Sequence, residues 1–258
     1  MTDDRKIEVH AIIIAWSGWI EAAQSICAAI EPVVDNLSTI WSDAQPEDQT
    51  GPGEWIRVPN EQFFGPKLSK GLDVASGQHV LLIHADTKCD DWARLVRRCK
   101  AAFVSYPEIG VWAPAIENTF WAPEVVALSR LPGKLGLHTA AHTDGIIVAF
   151  SPEIVQRLSE LGPENNNLGW GVDHAAVAYT RCKGKLVVYD PDVSVWHNPS
   201  TGYNGKEAEW QMQSFLTQLS ATERDQISLL QGYVRDRRRK LKRKRSNFRS
   251  LLKRLSLS

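Results

Sequence analysis

The sequence predicts an α/β fold, a mostly parallel β-sheet flanked by helices. Three observations carry that prediction. His10 to Ile14, Val80 to Ile83 and Ile146 to Phe150 are short, mostly apolar runs, as strands buried on both faces require. They alternate with segments whose apolar residues recur at helical spacing, the order that favours parallel pairing. The chain has 258 residues, 43% hydrophobic and 23% charged, which suits one large α/β domain or two small ones.

The elements follow in order. After the strand at His10, the turn Ser17-Gly18 leads into a helix from Trp19 to Ile30, with Ile20, Ala23, Ile26, Cys27 and Ile30 on one face. Leu37 to Trp41 is a second strand, ending at Ser42-Asp43, and Asp43 to Gly53 is a Pro/Gly-rich loop. Trp55 to Val58 is a third strand, and Pro66 to Ser76 a helix. Val80 to Ile83 runs into His84-Ala85-Asp86-Thr87 and a helix from Asp90 to Val104. Gly110 to Ala113 is a strand. Pro114 to Thr143 has little periodicity and reads as a long irregular region, the kind more often functional than accidental. Ile146 to Phe150 precedes a helix from Pro152 to Leu161, with proline at its start. Asn165 to Gly171 is a loop, Val172 to Cys182 a helix, and Lys185 to Tyr189 and Val193 to His197 two strands. Helices from Glu207 to Leu219 and from Ala221 onward close the chain.

Several classes are excluded. No run of about 18 apolar residues exists for a membrane span. The acidic start Met1-Thr2-Asp3-Asp4 is unlike a secretory signal. Cys27, Cys89, Cys99 and Cys182 form no CxxC pair, which points to a reducing, cytoplasmic setting. His138, His142, Thr143 and Asp144 cluster in sequence but lack the tight Cys/His spacing of a zinc site. No GxGxxG, Walker or GxSxG motif occurs. Lys67 and Lys70 read as a solvated helix face, or as phosphate contacts.

In open parallel sheets, ligands bind beyond the carboxyl ends of the strands, so Trp16, Ser17, Asp43, Asp86 and His197 are the candidates. Asp86 at a strand end suits a divalent cation that also holds a diphosphate; it equally suits a helix cap. Gly169-Trp170-Gly171-Val172-Asp173-His174 bends the chain and mounts Asp173 at a helix start. There it reads as a general base, with Trp170 as a sugar platform, or as a plain N-cap. His197, in Asp192-Val-Ser-Val-Trp-His-Asn-Pro199, reads as a metal ligand or as a hydrogen-bonded structural histidine.

Taken together, VLLIHADTKCDDW (Val80–Trp92), TDGIIVAFSPEIVQRL (Thr143–Leu158) and the Leu168–Leu219 stretch containing GWGVDH and VSVWH resemble the GT-A glycosyltransferases. The likeness is to family 2-like nucleotide-sugar transferases and runs in order from Val9 to Leu219. It implies a Rossmann-like GT-A domain over 1–220, followed by a helical basic tail over 221–258. By this resemblance Asp86 is the last acid of the family's DxD motif and binds Mn²⁺ or Mg²⁺ on the donor's diphosphate. His84 replaces the motif's first acid, and His197 completes the metal shell. Trp16, Ser17 and Asp43 lie along the nucleotide, with Asp144 near the donor sugar. Trp170 and Gly171 meet the acceptor, and Asp173 is the base, its spacing one residue shorter than the family's Gly-Trp-Gly-x-x-Asp form. The implied reaction is inverting transfer of a hexosyl group from a nucleotide-diphosphate sugar to a glycan or lipid-linked acceptor, as in polysaccharide biosynthesis. The rival expectation, motivated by His84, is a GT-A-fold binding protein without turnover.

The formal net charge of zero hides an asymmetry. Twelve Lys and Arg lie between Arg235 and Arg254 against the single acid Asp236, leaving 18 basic and 29 acidic residues in the rest of the chain. Leu230, Val234, Leu241, Phe248, Leu252 and Leu255 form an apolar stripe through this tail. A basic amphipathic helix suits an anionic membrane surface, which would place the protein peripherally on the inner membrane face, or reads as a plain solvated helix. The same charge binds nucleic acid non-specifically. The body has no nucleic-acid module, so no specific nucleic acid is expected.

Overall fold

A computed structural model describes residues 7–117, 119–197 and 203–255, with side chains up to Arg243. Its central strand is β1 (Val9–Ala15), every residue of which is buried. α1 (Ile20–Ile30), β2 (Asn36–Trp41), β3 (Glu54–Arg57), α2 (Phe64–Val74) and β4 (His79–His84) follow. Next come β5 (Thr87–Cys89), α3 (Trp92–Ser105), β6 (Ile109–Glu117), α4 (Pro123–Val126), β7 (Ala127–Arg130) and β8 (His138–Ala140). The remainder is β9 (Ile147–Phe150), α5 (Pro152–Leu161), α6 (Val172–Cys182), β10 (Leu186–His197), α7 (Gly205–Leu216) and α8 (Ala221–Leu255).

The sheet order is β3-β2-β1-β4-β9-β6-β10-β8-β7, with β5 paired to β10. β3, β2, β1, β4, β6 and β10 run one way, and β9 is inserted antiparallel between β4 and β6. This polarity positions the site. The carboxyl ends of β1, β4 and β10 and the segment entering β9 all reach one edge.

Strand alternation divides the core in two. Val9, Ala11, Ile13 and Ala15 of β1 pack with α1 and α3, while Ile12 and Ile14 pack with α2, α5, α6 and α7. Each fully buried aliphatic side chain adds about 1.5–3 kcal/mol. His10 is the polar exception in β1, hydrogen-bonded to Ser38 and Gln78 at 2.9 Å each.

Three sequence expectations need correction. Pro114 to Thr143 is not irregular throughout: β6 continues to Glu117, and α4, β7 and β8 lie within it. Proline lacks a ladder donor, yet Pro114 is tolerated because it faces Asp190 where β10 bulges before Ser194. The two strands expected at 185–189 and 193–197 are the single bent strand β10. Asp190 anchors the bend by taking two bonds from Arg98, at 2.7 and 2.8 Å. Lys67 is not on a solvated face; it is wholly buried.

α8 begins with a capping box. Ser220 Oγ accepts from Glu223 N at 3.3 Å, and Glu223 Oε2 accepts from Ser220 N at 2.7 Å. Glu223 is buried and also accepts from Arg157 at 3.0 and 3.1 Å, tying the helix to α5. Leu230, Val234 and Leu241 of the apolar stripe pack on Val125, Val126 and Ala141. The side chains of Phe248, Leu252 and Leu255 lie outside the described residues, as do Asn198 and Pro199. Among the described residues no helix is long and apolar enough to cross a membrane.

Candidate active site

The short strand β5 sets up the first half of the site. It pairs antiparallel with the end of β10, placing His197 opposite Thr87. His197 Nε2 therefore lies 3.3 Å from Asp86 Oδ2. Asp86 is buried, and its other oxygen, Oδ1, has no hydrogen-bond partner among the described residues. A buried, half-unpartnered carboxylate is costly unless something arrives to satisfy it. With the adjacent imidazole, the pair fits a divalent cation.

His84 ends β4 and turns toward aromatic rings, 4.8 Å from Phe64 and edge-on to Trp16 at 5.6 Å. Burial pushes its pKa down to about 4, so the ring is neutral at pH 7. Trp16 stacks on Phe63 at 5.5 Å. Beneath Trp16 lies Lys67, whose Nζ donates to Ala15 O at 2.9 Å and sits 5.5 Å from the indole. Burial lowers the lysine to about 8. Ser17 Oγ donates to Asp43 Oδ1 at 3.0 Å, joining the ends of β1 and β2. The backbone amide of Gln45, together with Ser17, holds the Asp43 carboxyl below its ordinary range.

The second half is assembled from the entry to β9 and the start of α6. Gly169 and Gly171 both hold left-handed backbone, and a Cβ on Gly169 would fall 1.9 Å from Phe64 Cδ1. This turn sets Asp173 in the first turn of α6. Asp173 is not the cap of its own helix: its Oδ1 accepts from His174 N at 2.8 Å and contacts His174 Nδ1 at 2.9 Å. Asp173 Oδ2 lies 3.5 Å from His142 Nε2. Burial alone would raise this carboxyl, but His174 and then His142 outweigh it and hold it well below the usual carboxylate range. Burial likewise opposes charge on His174, and the Asp173 carboxylate overcomes it.

Trp121 covers both imidazoles, 3.9 Å from His142 and 5.6 Å from His174. Ile227, Leu230 and Gln231 of α8 complete the wall around a cavity of ≈ 10 Å³. His142, Asp173 and His174 also bring three metal-capable atoms within 4.8 Å of one another. Asp173 Oδ1 and His174 Nδ1 already share a 2.9 Å hydrogen bond. Asp144 accepts from Thr119 Oγ1. Burial, reinforced by Asp173, pushes Asp144 up to about 6, while His197 opposes the rise. Asp144 is thus within electrostatic reach of both halves.

Trp170 stands at the rim, 39% exposed, its Nε1 donating to Tyr203 OH at 3.0 Å. Tyr203 meets Phe63, which stacks on Trp16, so one aromatic chain runs between the halves. Phe63, Thr119, Trp121, His174 and Tyr203 carried no sequence signal of a site role, and Lys67 carried only the option of a phosphate contact. Only the aromatic excess, ten tryptophans, hinted at such a rim.

This architecture, a mostly parallel sheet with β9 inserted antiparallel between β4 and β6 and helices packed on it, is the GT-A fold. Solved glycosyltransferases share it. GalNAc-T7, solved with UDP, GalNAc and Mn²⁺, matches with a TM-score of 0.62 at 12% identity, over 86% of this chain and 50% of its own. The mannosyltransferase PcManGT from Pyrobaculum calidifontis, solved with GDP-Man and Mn²⁺, matches at 0.59 and 15% identity, over 91% of this chain and 72% of its own. TarS of S. aureus matches at 0.57 and 13% identity, over 86% and 42% respectively. The chain thus spans half or less of GalNAc-T7 and TarS. No known family profile matches the chain, and no curated protein sequence does.

Proposed function

We propose that the chain is an inverting glycosyltransferase, moving a hexosyl group from a nucleotide-diphosphate sugar to an acceptor hydroxyl. The observation that carries this reading is the buried Asp86 with one unpartnered oxygen beside His197. Asp173 stands ionised in the second half of the site, and Asp144 feels the charge of both Asp173 and His197. Solved glycosyltransferases of this fold hold UDP, GDP-Man and Mn²⁺, which supports a nucleotide-sugar donor and a divalent metal here.

Asp86 and His197 would hold the cation. Their mixed oxygen and nitrogen donors favour Mn²⁺ over Mg²⁺, which prefers oxygen shells. When bound, the cation neutralises charge on the departing diphosphate. Trp16 lies along the nucleotide, Ser17 and Asp43 bind it at the ends of β1 and β2, and His84 packs Trp16 in place. Asp144 meets the donor sugar, and Trp170, held by Tyr203, gives the acceptor a flat platform beside Gly171. Asp173 Oδ2 takes the acceptor's proton, because Oδ1 is occupied by His174. Attack opposite the leaving group inverts the anomeric centre, and much of the rate comes from holding donor and acceptor in line.

Residues 1–220 form the transfer domain in this reading, and 221–258 a basic arm. The acceptor is a glycan or lipid-linked glycan, and Arg235 to Arg254 rest on the anionic cytoplasmic face of a membrane. Liposome flotation tests the arm: flotation that ignores anionic lipid or survives deletion of 235–258 removes it. Incubating the protein with a panel of nucleotide sugars and Mn²⁺ tests the activity; no metal-dependent release of nucleoside diphosphate from any donor overturns it.

A further inference from the structure

Lys67 has no part in the chemistry above, yet a lysine is seldom fully buried unless it is paired. Among the described residues its ammonium has one hydrogen bond, to the carbonyl of Ala15, and the face of Trp16. Burial lowers its pKa, and no carboxylate pairs with it among the described residues. It lies close enough to His84 to act on that ring electrostatically. Around His84, then, the described charged groups are one carboxylate, Asp86, and one ammonium without a carboxylate partner, Lys67, with Asp43 held apart on Ser17 past the end of β1. An imidazole stands at the position where a two-acid motif would add a second negative charge.

Two carboxylates attract a divalent cation and repel a diphosphate. One carboxylate with a neighbouring ammonium attracts the cation less and the diphosphate more, and low-dielectric surroundings strengthen both effects. Resting on the nucleotide-sugar reading above, we propose that Lys67 supplies a fixed positive charge beneath Trp16 that holds the donor's diphosphate, so that nucleotide binding depends only weakly on the divalent metal. Lys67 acts through space and through Trp16, as a positioning residue.

Calorimetric titration of the full chain with UDP and with GDP, in Mn²⁺ and again in EDTA, tests this. Wild type keeps its affinity in EDTA within about tenfold of that in Mn²⁺. Lys67→Met loses about tenfold or more in EDTA and clearly less in Mn²⁺. His84→Asp moves the other way, opening a gap of about a hundredfold between the two buffers. Lys67→Gln repeats the measurement should the methionine variant fail to fold. Equal losses in both buffers would mark Lys67 as merely structural and overturn the proposal. Binding by wild type only in Mn²⁺ overturns it too, while leaving the transferase reading intact. No nucleotide binding in either buffer ends both.

Discussion

The two halves of the site are built differently. The half around Asp86 is made of strand ends: Ala15, His84 and His197 close β1, β4 and β10, each paired there with a neighbouring strand. The half around Asp173 is made of side chains gathered from loops and helices: His142 before β9, Trp121 before α4, His174 on α6 and Leu230 on α8. Ladders carry position over short distances, whereas the second half depends on helices docking correctly. The first half should therefore fail by losing a ligand, and the second by losing geometry.

Replacing Asp173 is the sharpest way to separate them. Asp173→Asn should lower transfer about 10²–10⁴-fold, the usual range for a general base. Nucleotide affinity, read by calorimetry, should stay near wild type, because the other half is untouched. An unchanged turnover would remove the base assignment. Asp86→Ala should do the converse. The Mn²⁺-dependent gain in melting temperature with UDP or GDP should vanish, and turnover should fall by about 10²–10³.

Glu223→Ala probes the docking of α8. It leaves the Arg157 guanidinium with Glu160 as its remaining carboxylate and opens the capping box, at a cost of about 1–2 kcal/mol in thermal or denaturant unfolding. Turnover should fall more than nucleotide affinity, since Ile227 and Leu230 wall the imidazoles. Equal loss of both would show that the halves are not independent.

The smallest effect concerns Asp144. Burial raises its pKa to about 6, so the folded chain binds an extra proton between the ordinary carboxyl value and that point. Stability therefore falls as pH rises through this window. Asp144→Asn removes the loss and should melt a few degrees higher at about pH 8, with no gain at about pH 4. A gain of equal size at both would show that the carboxyl does not titrate this way.

The contrast between the halves also sorts what was legible. Val80 to Ile83 and His10 to Ile14 announce themselves because a doubly buried strand admits only apolar residues, and their ends then point to Asp86 and Trp16. Asp173 was legible because glycines at 169 and 171 mark a forced turn. Lys67 was misread because its helix carries lysines at 67 and 70, and periodicity alone does not say which of them faces the sheet.

Local spacing and burial patterns by themselves determined the α/β class, the sheet edge that bears the site, and the split between an acidic body and a basic tail. These depend only on neighbours along the chain. The resemblance put His197 in one metal shell with Asp86, 111 residues away; tertiary structure gave that pair its contact and alone decided that two imidazoles flank Asp173. It alone decided that the tail's stripe begins as a wall of the site. Such pairings arise from strand register and helix docking across the fold, where a residue's partner is set by closure in space rather than by spacing in sequence.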